Sequence, residues 1–241
     1  SDVCSSDLVL KAMVSAGEVA RRADGAWHAR PLARVQAPRT AVEAVRRRLS
    51  ALSVPARDVA SVAAVAGRRF DFALLQSLTG RDERALLGLI RELIAAQLVT
   101  EESPDRFAFR HALTREAIVG ELLARERAAL HRAVADALER QGGPADAYIE
   151  SLAYHAYGAM DWPRALAASA RAAEHALALH APREALAHLD RALDAAERSG
   201  ATPDAALRLA RGRALETLGD IQGAHDEFSA ALDAARRDAR A

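Results

Sequence analysis

The chain has 241 residues, of which 51% are hydrophobic and only 4% aromatic, so its core must be assembled from alanine and aliphatic side chains, the usual economy of helix packed on helix. Its formal net charge is +0, with 33 basic and 33 acidic residues, which excludes a global field drawing it to nucleic acid or an anionic membrane. The single cysteine, Cys4, excludes an internal disulfide and a cysteine-based metal cluster.

The length suits about two domains. No secretory pattern opens the sequence and no apolar stretch approaches the roughly 18 residues of a membrane span, so a cytoplasmic location is predicted. Ser1 to Leu8 lack periodicity and join abruptly to a helical pattern, and they read as a truncated or artefactual start of a segment from a longer chain. Leu8 to Val14 reads as the end of a helix. Glu18 to Trp27 reads as two short extended runs around Asp24-Gly25, a hairpin. His28 to Arg39, with Pro31 and Pro38, is predicted as a linker ending in a boundary near residue 38.

From Thr40 the apolar spacing turns helical. Val42, Val45 and Leu49 share a face, Thr40 and Glu43 form a capping box, and the helix runs to about Leu52. Pro55 opens a second helix lined by Val59, Val62, Ala63 and Ala66 and closed by Gly67. Phe72 to Leu78, closed by Gly80, and Glu83 to Gln97, with a stripe through Leu86, Ile90 and Leu93, are the next two. Leu98 to Thr100 and Arg106 to Arg110 flank a turn-prone stretch and predict a β-hairpin. Helices followed by such a hairpin predict a winged-helix layout, with a further helix from about Ala112 to Ala124 behind it. Gln141-Gly142-Gly143-Pro144 is the strongest break in the sequence.

Beyond residue 145 only helices are predicted, at roughly 146–159, 162–178, 182–198, 203–218 and 221–237. Gly212, Leu215, Gly219-Asp220, Ala224, Phe228 and Ala231 fit the small-and-large spacing of a tetratricopeptide repeat, with weaker echoes near Ala165 and Ala185. Gly212 and Ala224 let two antiparallel helices approach closely, and Phe228 is expected to fill the gap to the next helix. The expected fold is therefore mainly α: residues 1–38, then a winged-helix-like unit with one small β-hairpin over 39–143, then a tetratricopeptide-type α-solenoid over 144–241.

The run Phe107-Ala108-Phe109-Arg110-His111-Ala112-Leu113-Thr114-Arg115-Glu116-Ala117-Ile118, followed by Leu130-His131-Arg132 and Ala135, resembles the winged-helix region of bacterial STAND-type regulatory ATPases, especially the large LuxR-family transcriptional regulators. Val42 to Leu52, Val62 to Phe72, Leu86 to Val99 and the helical repeats agree in order, and Val14 to Trp27 resembles the last helix and hairpin of the preceding ATPase module. The resemblance implies a signal-responsive regulator whose winged helix controls an upstream ATPase domain in cis, whose repeats bind a protein or small-molecule inducer, and which self-assembles on release. It implies ATP and ADP for the parent. For this segment alone it implies no cofactor and no direct contact with nucleic acid. It also implies that His111, in the Arg-His-Ala-Leu run, touches the β-phosphate of ADP, although Ala112 follows where many relatives carry an acid.

No Gly-x-x-x-x-Gly-Lys-Ser/Thr phosphate loop is present and no catalytic constellation is evident, so the segment is not expected to be an enzyme. His175 and His180 are five residues apart and do not share a helical face as a zinc pair would. Glu116 and Glu121 read as charged helix surface, Arg46-Arg47-Arg48 as a solvated run, and Trp162 as a packing residue at a helix start. Between Ala56 and Gly120 nine arginines face nine acids, a balance that argues against duplex binding by Glu83 to Gln97. A tetratricopeptide scaffold attached to a nucleotide cyclase or protein kinase is the alternative function.

Overall fold

A computed structural model describes residues 19–21, 27–29, 39–141 and 148–238. The helix predicted over Leu8 to Val14, the Asp24-Gly25 turn and the Gly142-Gly143-Pro144 break lie outside the described residues. Two strands, β1 (Val19–Arg21) and β2 (Trp27–Ala29), pair antiparallel with Arg21 opposite Trp27. The predicted hairpin is present, but its second arm continues through His28 and Ala29, where the sequence pattern predicts the linker. Backbone pairing with Val19 and Ala20 extends it, and single-strand propensity does not register such pairing.

Helix α1 runs over Arg39–Ser50, and the capping bond expected of the Thr40 side chain lies outside the described side chains. Helix α2 (Val54–Ala66) starts with Pro55 in its first turn, and the Ser53 hydroxyl accepts the Ala56 N–H. Glu92 holds Ser53 in place from another helix, accepting from both its N–H and its hydroxyl. Six α2 residues are buried, from Ala56 to Val65, which places this helix at the centre of its unit.

Immediately after α2 comes a strand that the sequence pattern did not announce, β3 (Arg69–Asp71). Helices α3 (Phe72–Thr79) and α4 (Glu83–Ala95) follow, then β4 (Val99–Ser103) and β5 (Arg106–Phe109). The expected single hairpin is thus corrected to a three-stranded antiparallel sheet in the order β3-β5-β4. Three residues are too few for alternation to show. Tertiary packing makes the strand, because Phe70 is buried against Phe107 and Phe109 at ring separations of 5.9 and 5.7 Å. One apolar cluster joins α1, α2, the sheet, Leu75, the α4 stripe Leu86, Ile90 and Leu93, and Ile118.

The helix predicted over Ala112 to Ala124 is present as α5 (Ala112–Glu121), and a second helix that the sequence pattern did not announce, α6 (Ala124–Gln141), follows it. The break is concealed because the residue before α6 is Leu123, a poor cap by its side chain. The Glu126 carboxylate instead reaches back to accept the Leu123 N–H at 2.9 Å, half of a capping box.

Five further helices follow at short intervals: α7 (Ile149–Gly158), α8 (Trp162–Ala178), α9 (Pro182–Ser199), α10 (Ala205–Thr217) and α11 (Ile221–Asp238). Helices α7 to α10 end in the same way. Met160, His180, Gly200 and Gly219 take left-handed conformations at intervals of 20, 20 and 19 residues. In each case the next N–H bonds back to a carbonyl five residues earlier, on Ala156, Ala176, Ala196 and Leu215, a Schellman closure. Each helix packs on the next, and the contacts are made largely by alanine. Ion pairs add to this packing: Arg164 of α8 reaches past α7 to bond Asp136 and Glu139 of α6, and Arg211 of α10 bonds Asp190 of α9 and Glu227 of α11.

Phe228 corrects one detail. Its ring lies on Gly212, where an added Cβ would come within 2.4 Å of it, so it fills the space inside the α10–α11 pair rather than the gap to another helix. Among the described residues no helix is long and apolar enough to cross a membrane.

Candidate functional site

His111 stands at the head of α5 in extended conformation and is exposed. Its carbonyl accepts the Thr114 N–H at 3.0 Å, which starts the helix, while its side chain makes no capping bond. An imidazole here is beside the positive end of a helix, where backbone donors and dipole both favour an anion.

One turn along the same helix is Arg115, half-buried, whose reach sequence inspection missed. Its Nε donates to the Ala64 carbonyl at 2.7 Å, and its Nη2 donates to the Tyr154 hydroxyl at 3.4 Å. The last carbonyls of α2 have no helical partner and α2 has no basic residue in its final turn, so a guanidinium 51 residues away in sequence supplies the charge that a helix C-terminus favours.

Behind Arg115 lie two buried imidazoles. His131 of α6 and His155 of α7 face each other with Nδ1 atoms 3.1 Å apart, so one ring must carry its proton on Nδ1 and donate while the other accepts. Burial lowers the His131 pKa to about 4, with Arg115 and Arg127 acting in the same direction. Burial also lowers that of His155 to about 3, reinforced by His131 and opposed by a hydrogen-bonding interaction with the backbone of Ala66. Both rings are therefore neutral near pH 7. Tyr154 packs edge-on against each, at 5.4 and 5.1 Å between ring centres. Gly158 makes the arrangement possible, because a Cβ there would meet the His131 ring at 2.6 Å.

A groove of about 260 Å³ opens between α8 and α10. Leu166, Ala170 and Ala173 form one wall, Leu189 the floor, and Leu207 and Ala210 the other wall, while Glu174, Thr202 and Asp204 bring polar groups to it. Asp204 also caps α10 by accepting the Leu207 N–H at 2.7 Å.

The other residues singled out in the sequence fall elsewhere. Trp162 packs edge-on against Tyr157 at 5.4 Å with the Arg198 guanidinium 5.2 Å above its ring. Arg46 is more than solvated: it pairs with Glu121 at 3.0 Å and ties α1 to α5. Glu116 is exposed. His180 is exposed in the left-handed closure after α8, and His175 is half-buried in the last turn of that helix. No group of three or more metal-ligating side chains occurs among the described residues. Comparison with protein-family models, with curated proteins and with solved structures found no match for this chain.

Proposed function

We propose that this chain is the regulatory and partner-binding segment of a signal-responsive STAND ATPase of the LuxR-regulator kind. Residues 39–143 act as a winged helix that restrains an ATPase domain in cis, and the helices from residue 144 act as a tetratricopeptide-type solenoid that receives an inducer or partner. The observation that carries the reading is the placement of His111. The Arg-His-Ala-Leu run sets an exposed imidazole at the head of α5, directly after β5, with no competing side-chain cap. That residue can donate to a phosphate of ADP held by the ATPase domain, and neighbouring helix-terminal amides favour the same anion. ADP would supply the negative charge; the chain's own part is to hold His111 toward it. Two further features support the reading: the α8–α10 groove is of a size to accept an apolar side chain of a partner, and the 20-residue recurrence of helix closures suits a repeat array.

The test is His111→Ala in the full-length parent. Basal activity should rise and ADP should dissociate faster. Unchanged basal activity together with unchanged ADP retention would remove His111 from the restraint.

A further inference from the structure

Arg115, His131, Tyr154 and His155 come from three helices, α5, α6 and α7, and Arg115 ties the group to the Ala64 carbonyl near the C-terminus of a fourth, α2, with His155 interacting with the backbone of Ala66. Helix α2 is the most buried helix of the sheet-bearing unit, and α7 is the first helix after residues 142–147. The cluster is thus where the helical array is fastened to that unit. It is built of directional contacts rather than fluid ones. A guanidinium bridges a carbonyl and a phenol, two imidazoles share one proton between facing nitrogens, and a glycine is required for the rings to fit. Interactions of this kind have few alternative geometries, so the group moves together or breaks. Helix α5 carries Arg115 and, one turn earlier, the exposed His111.

We propose that Arg115, Tyr154, His131 and His155 form a latch through which displacement of the helical array is passed to the head of α5, so that a ligand held by the array acts on His111 without touching it. The use of the latch in regulation rests on the function proposed above, but the mechanical link does not. Its parts are all present in this chain. The charged and titratable groups that face the imidazole pair are Arg115 from α5, Arg127 from α6 and Tyr154 from α7. Burial first, and the absence of any carboxylate beside these cations second, keep both rings neutral, and the donor–acceptor pair therefore stays made at ordinary pH.

Hydrogen exchange on this chain, read residue by residue, tests the latch. Gly158→Ala forces the His131 ring aside from within α7, and it should speed exchange of the α5 amides by about fivefold while α4 amides stay protected. Tyr154→Phe removes only the hydroxyl that meets Arg115 and should produce the same pattern more weakly, which keeps the test open if Gly158→Ala does not fold. Arg125→Gln, at an exposed arginine outside the cluster, should change nothing. In an Arg115→Gln background the effect of Gly158→Ala on α5 should disappear. Faster exchange confined to α6 and α7, or equal acceleration of every amide, would overturn the latch. Coupling that persists while His111→Ala leaves ADP retention unchanged would overturn only the nucleotide role.

Discussion

The two halves of the described structure bury different side chains. In residues 39–121, 5 of 20 buried hydrophobic residues are alanine; in residues 149–238, 16 of 21 are. The first half gathers Leu, Ile, Val and Phe from many elements into one cluster, so its parts depend on one another. The second half buries small side chains between neighbouring helices in several separate clusters, and each helix answers mainly to the one before and the one after. One half is stabilised by burying large apolar surface. The other relies on close helix approach, repeated Schellman closures and ion pairs at the joints.

The largest blow to this contrast would come from Leu93→Ala. Leu93 is wholly buried in the first cluster, and its truncation should cost about 2.7–5 kcal/mol. Denaturant unfolding followed by hydrogen exchange should show loss of protection through α1 to α5 and the sheet together. If the loss stayed within α4, the single-cluster description would be wrong. Gly212→Ala in the second half overpacks the Phe228 ring and should cost about 1–3 kcal/mol. Its effect should be local, raising exchange in α10 and α11 and sparing α7; unfolding of the whole chain as one transition would contradict nearest-neighbour behaviour.

The joint between the halves has its own pH signature. His131 and His155 are held well below their ordinary 6.5, at about 4 and 3, so the unfolded chain takes up their protons first as pH falls. Their contribution to stability is complete above about pH 6.5 and is lost progressively as pH drops toward those lowered values. Urea midpoints should fall between pH 7.5 and pH 5, and less steeply in His155→Gln; an identical slope in that variant would show that the pair is not responsible. The smallest effect is a gain. Ser169 is fully buried in α8 and its hydroxyl has no partner among the described residues, so Ser169→Ala should stabilise by about 1 kcal/mol. A loss of stability would mean that the hydroxyl has a partner, such as buried water.

Much of the helical array was legible because period, breakers and length all act locally. The array helices predicted at 162–178, 182–198 and 221–237 match α8, α9 and α11 to within a residue. The closures at Met160 and His180 were not legible as such, because neither residue is the glycine that usually marks a left-handed position. In the first half, α2 to α4 were legible from Pro55, Gly67, Gly80 and the Leu86–Ile90–Leu93 stripe, whereas β3 and α6 were not. Strand β3 depends on partners far along the chain, Phe107 and Phe109 for Phe70, whereas the start of α6 is marked only by Glu126, three residues on, reaching back to the Leu123 N–H without the Ser, Thr, Asp or Asn that usually announces a cap.

The candidate site divides along the same line. His111 could be singled out from a short run of neighbours, and its position at the head of a helix follows from local pattern. Arg115, His131, Tyr154 and His155 are ordinary residues at ordinary spacings, separated by up to 40 positions. By itself the sequence determined a mainly helical chain, the places where most helices begin and end, and the need for small residues such as Gly212 between them, because helical period and backbone sterics are properties of neighbouring residues. Only the tertiary structure decided that a third strand would form, that α2 would be capped by an arginine from α5, and that two histidines would face each other in the interior. Burial and long-range pairing depend on which distant segments meet, and no local pattern encodes that meeting.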